Sequence, residues 1–313
     1  MIYTFTLNTA IDRIIYFEEE LERKKNNKIS HYLYDVGGKA THVSIILSQL
    51  GIDNIAAGFI GTEKGGLLKE LLKEYNVKSE FIVQEGKTRE SFVLVDNSGK
   101  GSFMITEKGF TVNEESYEKI IGYINEKLKK GDVAVFAGGP PPGIDEEKYR
   151  RLLRAANEKD AKLFVDCSGK FLKTAILETP FLIKPNKDEF EEFISKSGIS
   201  DENEYIPYME KLLDSGVKNV LLSLGKDGSM LAMENREVYR VYPPKIREIN
   251  DTGAGDSFVG GVVAGIAGNG DLLEAVKSAT AISASKVASG MSSGFNNEEV
   301  EEFLKEIKIK KLK

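Results

Sequence analysis

The run "INDTGAGDSFVGGVVAGIAG", residues 249–268, sets Gly253, Ala254 and Gly255 directly before an apolar helical segment, with Asp256 next in line. A helix start leaves its first backbone N–H groups without intrahelical partners. With the positive end of the helix dipole behind them, such groups bind phosphate or a developing negative charge. Glycine lets the ligand come close to the backbone. A carboxylate beside that loop repels the anion the loop attracts, so its natural use is as a base. It would take a proton from a hydroxyl while the loop holds the group that hydroxyl attacks. Asp256 is that candidate; an acidic residue that serves only the dipole is the other reading of the same pattern.

Three further stretches carry candidate contacts. "DVGGKATHVSIILSQLG" places Gly37, Gly38 and Lys39 before an amphipathic helix, a second anion-friendly entrance with a mobile cation attached. "KTRESFVL" puts Arg89 at the start of a strand, where a guanidinium could grip a phosphate bidentately or merely face solvent. "LIKPNKDEF" holds Asn186 and Glu189 three apart, suited either to a water-coordinated Mg²⁺ or to a plain capping box. His31 and His42 lie far apart without cysteine partners and make a poor zinc site. Two glycine motifs fail: "LYDVGGKAT" has Leu33 at the first glycine of a phosphate loop and Ala40 at its hydroxyl. "GAGDSF" has Phe258 at the third glycine of a dinucleotide fingerprint.

The elements that must hold these residues alternate short β-rich runs with longer amphipathic segments, the pattern of an α/β protein with a mostly parallel sheet. "IYTFTLN", "NIAAGFIG", "DVAVFAGG", "KLFVDCS", "PFLIKPN" and "NVLLSLG" read as strands, several apolar nearly throughout as in a sheet buried on both faces. "GGLLKELLKEYN", "DEEKYRRLLRAANEKD" and "KDEFEEFISKSG" read as helices. Residues Arg13 to Val36 and Thr88 to Phe110 lack a helical period and read as a small β-lid, the second as a hairpin through Asn97, Ser98 and Gly99. "GSMLAMENREVYRVYPP" reads as an antiparallel edge turning at Glu234 to Arg236, and "NNEEVEEFLKEIKIKKLK" as a closing helix with acids first and lysines last.

With 313 residues, 41% of them hydrophobic, the chain is expected to be one large domain, residues 1–313, with the β-lid as its appendage. Its 43 basic and 49 acidic residues, net charge −6, argue against a nucleic-acid partner. The apolar run from Phe258 to Gly268 is too short to span a bilayer, and "MIYTFTLNTAIDR" reads as a first strand rather than a leader. A single cysteine, Cys167, fits a cytoplasmic protein and reads as a small buried hydrophobe.

Together these residues resemble the PfkB carbohydrate kinases of the ribokinase-like superfamily, above all the branch containing 1-phosphofructokinase and tagatose-6-phosphate kinase. The motifs run almost end to end in family order: "TLNTAIDR", "GGKATHVSIILSQLG", "GFIGTEKG", "KTRESF", "GGPPPG", "VDCSG", "LIKPNKDE", "SLGKDG" and "NDTGAGDSFVGG". The resemblance implies a ribokinase-like fold, a mostly parallel sheet flanked by helices with the lid above the site. It implies a kinase that uses ATP and Mg²⁺, with a monovalent cation as a further candidate, on a small sugar or sugar phosphate. Asp256 would be the base and Gly253, Ala254 and Gly255 the anion hole. Asn186 and Glu189 would serve Mg²⁺ and nucleotide phosphates, and Ser223, Gly225, Lys226 and Gly228 would lie beside the nucleotide. Asp12, Gly37, Gly38, Lys39, His42, Arg89 and Ser91 would face the acceptor, Arg89 reading a substrate phosphate. Thr9, Ala40, His42 and Ser91 depart from the branch's usual residues, the last two replacing amides, and "DTGAGD" is typical of kinases for unphosphorylated sugars and nucleosides. A free-sugar or nucleoside kinase is therefore the alternative, and a non-catalytic sugar-phosphate-binding regulator a more distant one. Two copies could pair through an apolar lid edge such as "SFVLV" to give a homodimer.

Overall fold

A computed structural model describes residues 1–98, 102–268, 270–289 and 294–313. Its first half runs β1 (Ile2–Thr6), β2 (Ala10–Phe17), β3 (Ile29–Gly37), α1 (Lys39–Gln49), β4 (Asn54–Glu63), α2 (Gly65–Glu74), β5 (Lys78–Lys87), β6 (Arg89–Val95), β7 (Ser102–Thr106), α3 (Glu114–Lys127) and β8 (Val133–Ala137). Its second half runs α4 (Glu146–Asn157), β9 (Lys162–Asp166), α5 (Gly169–Ile176), β10 (Leu182–Ile183), α6 (Lys187–Ile194), α7 (Ile206–Asp214), β11 (Val220–Ser223), β12 (Ser229–Ala232), β13 (Val238–Tyr242), α8 (Ala254–Ala267), α9 (Leu272–Ala288), α10 (Asn297–Glu306) and β14 (Lys308–Lys311).

Ten strands form one sheet in the order β14-β13-β12-β11-β10-β9-β8-β1-β4-β5. It is parallel from β5 to β11 and antiparallel from β11 to β14. Successive side chains of a strand point to opposite faces. Accordingly Val133 and Val135 of β8 pack into one apolar layer with Val43, Phe258 and Val276 of α1, α8 and α9. Ala134 and Phe136 pack into the other, with Tyr117, Leu152, Leu172 and Met209 of α3, α4, α5 and α7. Burial on both faces is why these strands are apolar almost throughout.

The second sheet has the order β3-β2-β6-β7 and is fed from the carboxyl ends of β1 and β5. In its register Asp12 stands between Asp35 of β3 and Ser91 of β6. Ile29, Tyr32, Leu33, Phe103, Met104 and Ile105 of this sheet are exposed. The turn expected at Asn97, Ser98 and Gly99 is described only as far as Ser98, whose backbone N–H donates to Asp96; Gly99 lies outside the described residues.

Three expectations are corrected. "MIYTFTLNTAIDR" holds two strands of different sheets, because the chain turns at Leu7 and Asn8, after which the Thr9 hydroxyl donates to the Phe59 carbonyl at 2.6 Å. The closing segment is a helix followed by the edge strand β14, so the hairpin β12–β13 is not the edge. Its alternation of isoleucine with lysine is a strand period: Ile307 and Ile309 pack on the apolar layer, and Lys311 pairs with Glu237. Strand β5 was not anticipated, since it lies at the other edge with mostly polar, alternating side chains. Among the described residues no helix is long and apolar enough to cross a membrane.

Helix α8 is held against its neighbours by glycine. A Cβ on Gly261 would stand 2.7 Å from the Ala279 Cα of α9, and one on Gly260 would stand 2.8 Å from the Ile46 Cβ of α1. Gly261→Val should therefore push α8 off α9 and lower stability by about 1–3 kcal/mol in urea unfolding. Gly122→Ala, on the exposed face of α3 where a Cβ meets nothing, should be neutral or gain roughly 0.5–1 kcal/mol.

Candidate active site

The loop before α8 turns on Gly253, in the left-handed region at φ 77°, and the first intrahelical bond runs from Ser257 N–H to the Gly253 carbonyl at 2.9 Å. The N–H groups of Gly255 and Asp256 precede that bond, as donors at a helix start do. The loop is braced from α9: Lys286 Nζ donates to the Asn250 carbonyl at 2.9 Å, and Ser283 Oγ donates to the Ala254 carbonyl at 3.0 Å. Burial lowers the Lys286 pKa to about 8 against the opposing charges of Asp251, Asp256 and Asp35.

Asp256 is buried in the first turn of α8, and its Oδ2 lies 2.7 Å from Nδ1 of His42 on α1. His42 Nε2 lies 2.8 Å from the Val36 carbonyl oxygen and 3.9 Å from Asp12 Oδ2. Burial opposes charge on this ring, yet the hydrogen bond and charge of Asp256, with Asp12 and Val36 behind them, raise its pKa to about 9. Burial raises the Asp12 pKa to about 6, with His42, the Ser91 hydroxyl and Arg89 pulling the other way and Asp35 adding to the rise. A Cβ at Gly37 would meet Asp12 Oδ1 at 2.3 Å, so glycine there makes room for the carboxylate.

A second charge cluster stands at the carboxyl ends of β9 and β10. Lys39 Nζ lies 3.4 Å from Asp166 Oδ1, and Lys184 Nζ lies 3.4 Å from Asp166 Oδ2. Asp166 and Lys184 are both buried. Burial would raise the Asp166 pKa, but Lys184 and Lys39 outweigh it and hold the carboxyl below its usual range. Two ammonium groups sharing one carboxylate, at distances longer than a tight charge-assisted bond, leave one positive charge to meet an anion. The cluster reaches the α8 entrance, because a Cβ on Gly255 would stand 3.6 Å from Lys184 Nζ. Lys39 ties the groups together: the charges of Asp166, Asp256 and Glu189 all raise its pKa.

Asn186 and Glu189 form a capping box at the start of α6, with Asn186 Oδ1 accepting from Glu189 N–H and Glu189 Oε2 accepting from Asn186 N–H. Each acceptor group keeps lone pairs beyond those bonds, which fits Mg²⁺ held through water rather than enclosed by protein. Among the described residues no group of three or more His, Cys, Asp or Glu side chains is arranged to hold a metal ion. Asn186 bridges in parallel to Ser223, and Gly225–Asp227 make one tight helical turn closed by Leu224 N–H to the Gly228 carbonyl at 2.7 Å. This brings the Ser223 to Gly228 loop, with Lys226, alongside α6.

Arg89 begins β6, half-buried, and its Nε donates to the Asn8 carbonyl at 3.3 Å. His31 stands apart, exposed and stacked on Tyr16. Cys167 is buried and burial pushes its thiol up to about 12, so it offers no thiolate at neutral pH. Reading the sequence by motif passed over Asp166, Lys184, Asp35 and Lys286. Asp166 and Lys184 stand inside "VDCSG" and "LIKPN", where the signal was present but unweighed. Asp166→Ala should cost about 3–5 kcal/mol in thermal or urea unfolding, because it leaves the buried Lys184 without a counter-charge; a loss within error would mean that Lys184 is solvated.

The sequence matches the pfkB family carbohydrate kinases over residues 5–298. It is 32% identical to the 1-phosphofructokinase of Bacillus subtilis, covering 100% of both chains. It is 29% identical to a tagatose-6-phosphate kinase of Staphylococcus epidermidis, covering 99% of both. Its fold is that of phosphofructokinase-2 from Escherichia coli, solved in complex with fructose-6-phosphate: TM-score 0.89 at 24% identity, over 97% of this chain and 98% of that one. With the mostly parallel sheet and this coverage in hand, the chain belongs to the pfkB family of carbohydrate kinases and is an ATP-dependent sugar kinase.

Proposed function

We propose that this kinase transfers the γ-phosphoryl group of ATP to a hydroxyl of a ketose phosphate: fructose 1-phosphate to the 1,6-bisphosphate, or tagatose 6-phosphate to its 1,6-bisphosphate. The observation that carries the reading is the meeting of a buried carboxylate, Asp256, with the α8 entrance and the Lys39 and Lys184 cations. Asp256 takes the proton of the attacking hydroxyl. The N–H groups of Gly253 and Gly255 receive charge developing on the transferred group; the Ala254 N–H, expected to join them, donates to the Asp251 carbonyl at 3.1 Å. Phosphoryl transfer asks a protein mainly for positioning and charge neutralisation, which these groups supply. Asn186 and Glu189 would hold Mg²⁺, which would supply charge neutralisation at the nucleotide phosphates. Ser223, Gly225, Lys226 and Gly228 line the nucleotide side.

On the acceptor side Asp12, Gly37, Gly38, Lys39 and Ser91 face the sugar, and Arg89 reads its phosphate; His42, expected among them, instead turns its two ring nitrogens to Asp256 and the Val36 carbonyl. The small sheet acts as a lid that excludes competing water. Its exposed apolar side chains support self-association through that sheet. An unphosphorylated acceptor is the second reading, favoured by the bond Arg89 already makes to Asn8 and its proximity to Asp12. A monovalent cation is a supplement in this scheme, because the Lys286 ammonium supports the loop before α8.

ADP release should be seen with fructose 1-phosphate or tagatose 6-phosphate, and not with free fructose, ribose or a nucleoside, in potassium and in tetramethylammonium buffer alike. Turnover confined to an unphosphorylated compound overturns the substrate assignment, and dependence on potassium overturns the supplementary role of the cation. Asp256→Asn should lower kcat by roughly 10²–10⁴ while ATP still binds, and Arg89→Ala should raise the KM of the sugar phosphate but not of ATP. Sedimentation should show a dimer that Leu33→Glu with Ile105→Glu turns into a monomer; a monomeric parent protein contradicts pairing through the lid.

A further inference from the structure

Both nitrogens of His42 face acceptors: Asp256 Oδ2 at 2.7 Å from Nδ1 and the Val36 carbonyl oxygen at 2.8 Å from Nε2. A neutral imidazole carries one N–H and satisfies one of them, whereas only the imidazolium donates to both. The groups facing the ring come from three elements: Asp256 from α8, Asp12 from β2 with Asp35 beside it, and the Val36 carbonyl from β3.

We propose that His42 is a positioning residue whose imidazolium clamps Oδ2 of Asp256, so that Oδ1 is left turned toward the acceptor hydroxyl, and whose one charge also joins the base to Asp12. The proposal rests on the reading of Asp256 as base. An ion-paired carboxylate is a weaker base, which counts against the rate. In a loose phosphoryl-transfer transition state, however, the strength of the base matters less than its placement against the attacking hydroxyl. Misplacing a reacting group by an ångström can cost about 10² in rate. Orientation therefore wins. The clamp also spans the two sheets of the fold, from α8 through α1 to β2 and β3, so a sugar bound at Asp12 is registered against the base.

The chain has two histidines, so ¹⁵N-histidine NMR of the parent protein, with His31→Asn to assign the exposed ring, reads the state of His42 directly. Both His42 ring nitrogens should be protonated at neutral pH, and the ring should lose a proton only toward pH 9. A His42 ring with one bare nitrogen at neutral pH overturns the proposal. In kinetics, His42→Asn should lower kcat by about 10–100-fold with a smaller change in KM. The parent should lose activity above pH 9 as the ring gives up its proton, and His42→Asn should lack that limb. Lys286, which feels Asp256 and Asp35 and titrates near 8, is common to both proteins and drops out of the comparison. Adding His42→Asn to Asp256→Asn should cost nothing more, since His42 acts through that carboxylate. Unchanged kcat in His42→Asn, or an additive loss in the double variant, overturns the clamp while Asp256 stands. Near-normal turnover in Asp256→Asn removes the base assignment itself.

Discussion

Burying carboxylates at the carboxyl ends of parallel strands is costly unless each meets a cation, and the molecule is arranged around that constraint. Asp256 and Asp12 meet His42, while Asp166 meets Lys39 and Lys184. The two partners on α1 sit within one turn of each other, Lys39 at its first position and His42 three residues on. Helix α1 is thus the element from which both buried clusters are charge-balanced, and its approach to α8 sets the distance between them. The glycines of α8 permit that approach.

Topology explains why the charges gather where they do. The carboxyl ends of the neighbouring strands β9, β10 and β11 deliver Asp166, Lys184 and Ser223 to one end of the large sheet. The chain leaves the carboxyl ends of β1 and β5 to build the small sheet, whose first residues include Asp12 and Arg89. Open parallel sheets bind ligands at such ends. The charged residues of the site therefore come in part from the large sheet and in part from the small one.

Much of this was legible in the sequence, for physical reasons that differ by element. The α8 start could be read because small residues before an apolar helix have few other uses. The doubly buried strands could be read because continuous apolar runs bounded by glycine have few alternatives. The edges were not legible: β5 is polar enough to pass for loop, and β14 hid behind a lysine gradient that also suits a helix end. At the site, the Asn186 and Glu189 capping box is a local contact and was foreseen as one of two readings. The contact between His42 and Asp256 joins residues 214 apart in sequence, so no local pattern announces it. Asp166 and Lys184 lie 18 residues apart at the ends of neighbouring strands, and neither signals a site without the other.

The account turns on one carboxylate oxygen. A crystal structure with ADP, aluminium fluoride and fructose 1-phosphate or tagatose 6-phosphate would capture the transfer geometry. Asp256 Oδ1 should lie within hydrogen-bond reach of the acceptor hydroxyl, about 2.6–3.2 Å, with Oδ2 still on His42 and the fluoride cradled by the N–H groups of Gly253 and Gly255. An acceptor hydroxyl facing another group, with Asp256 turned away from it, would contradict the account.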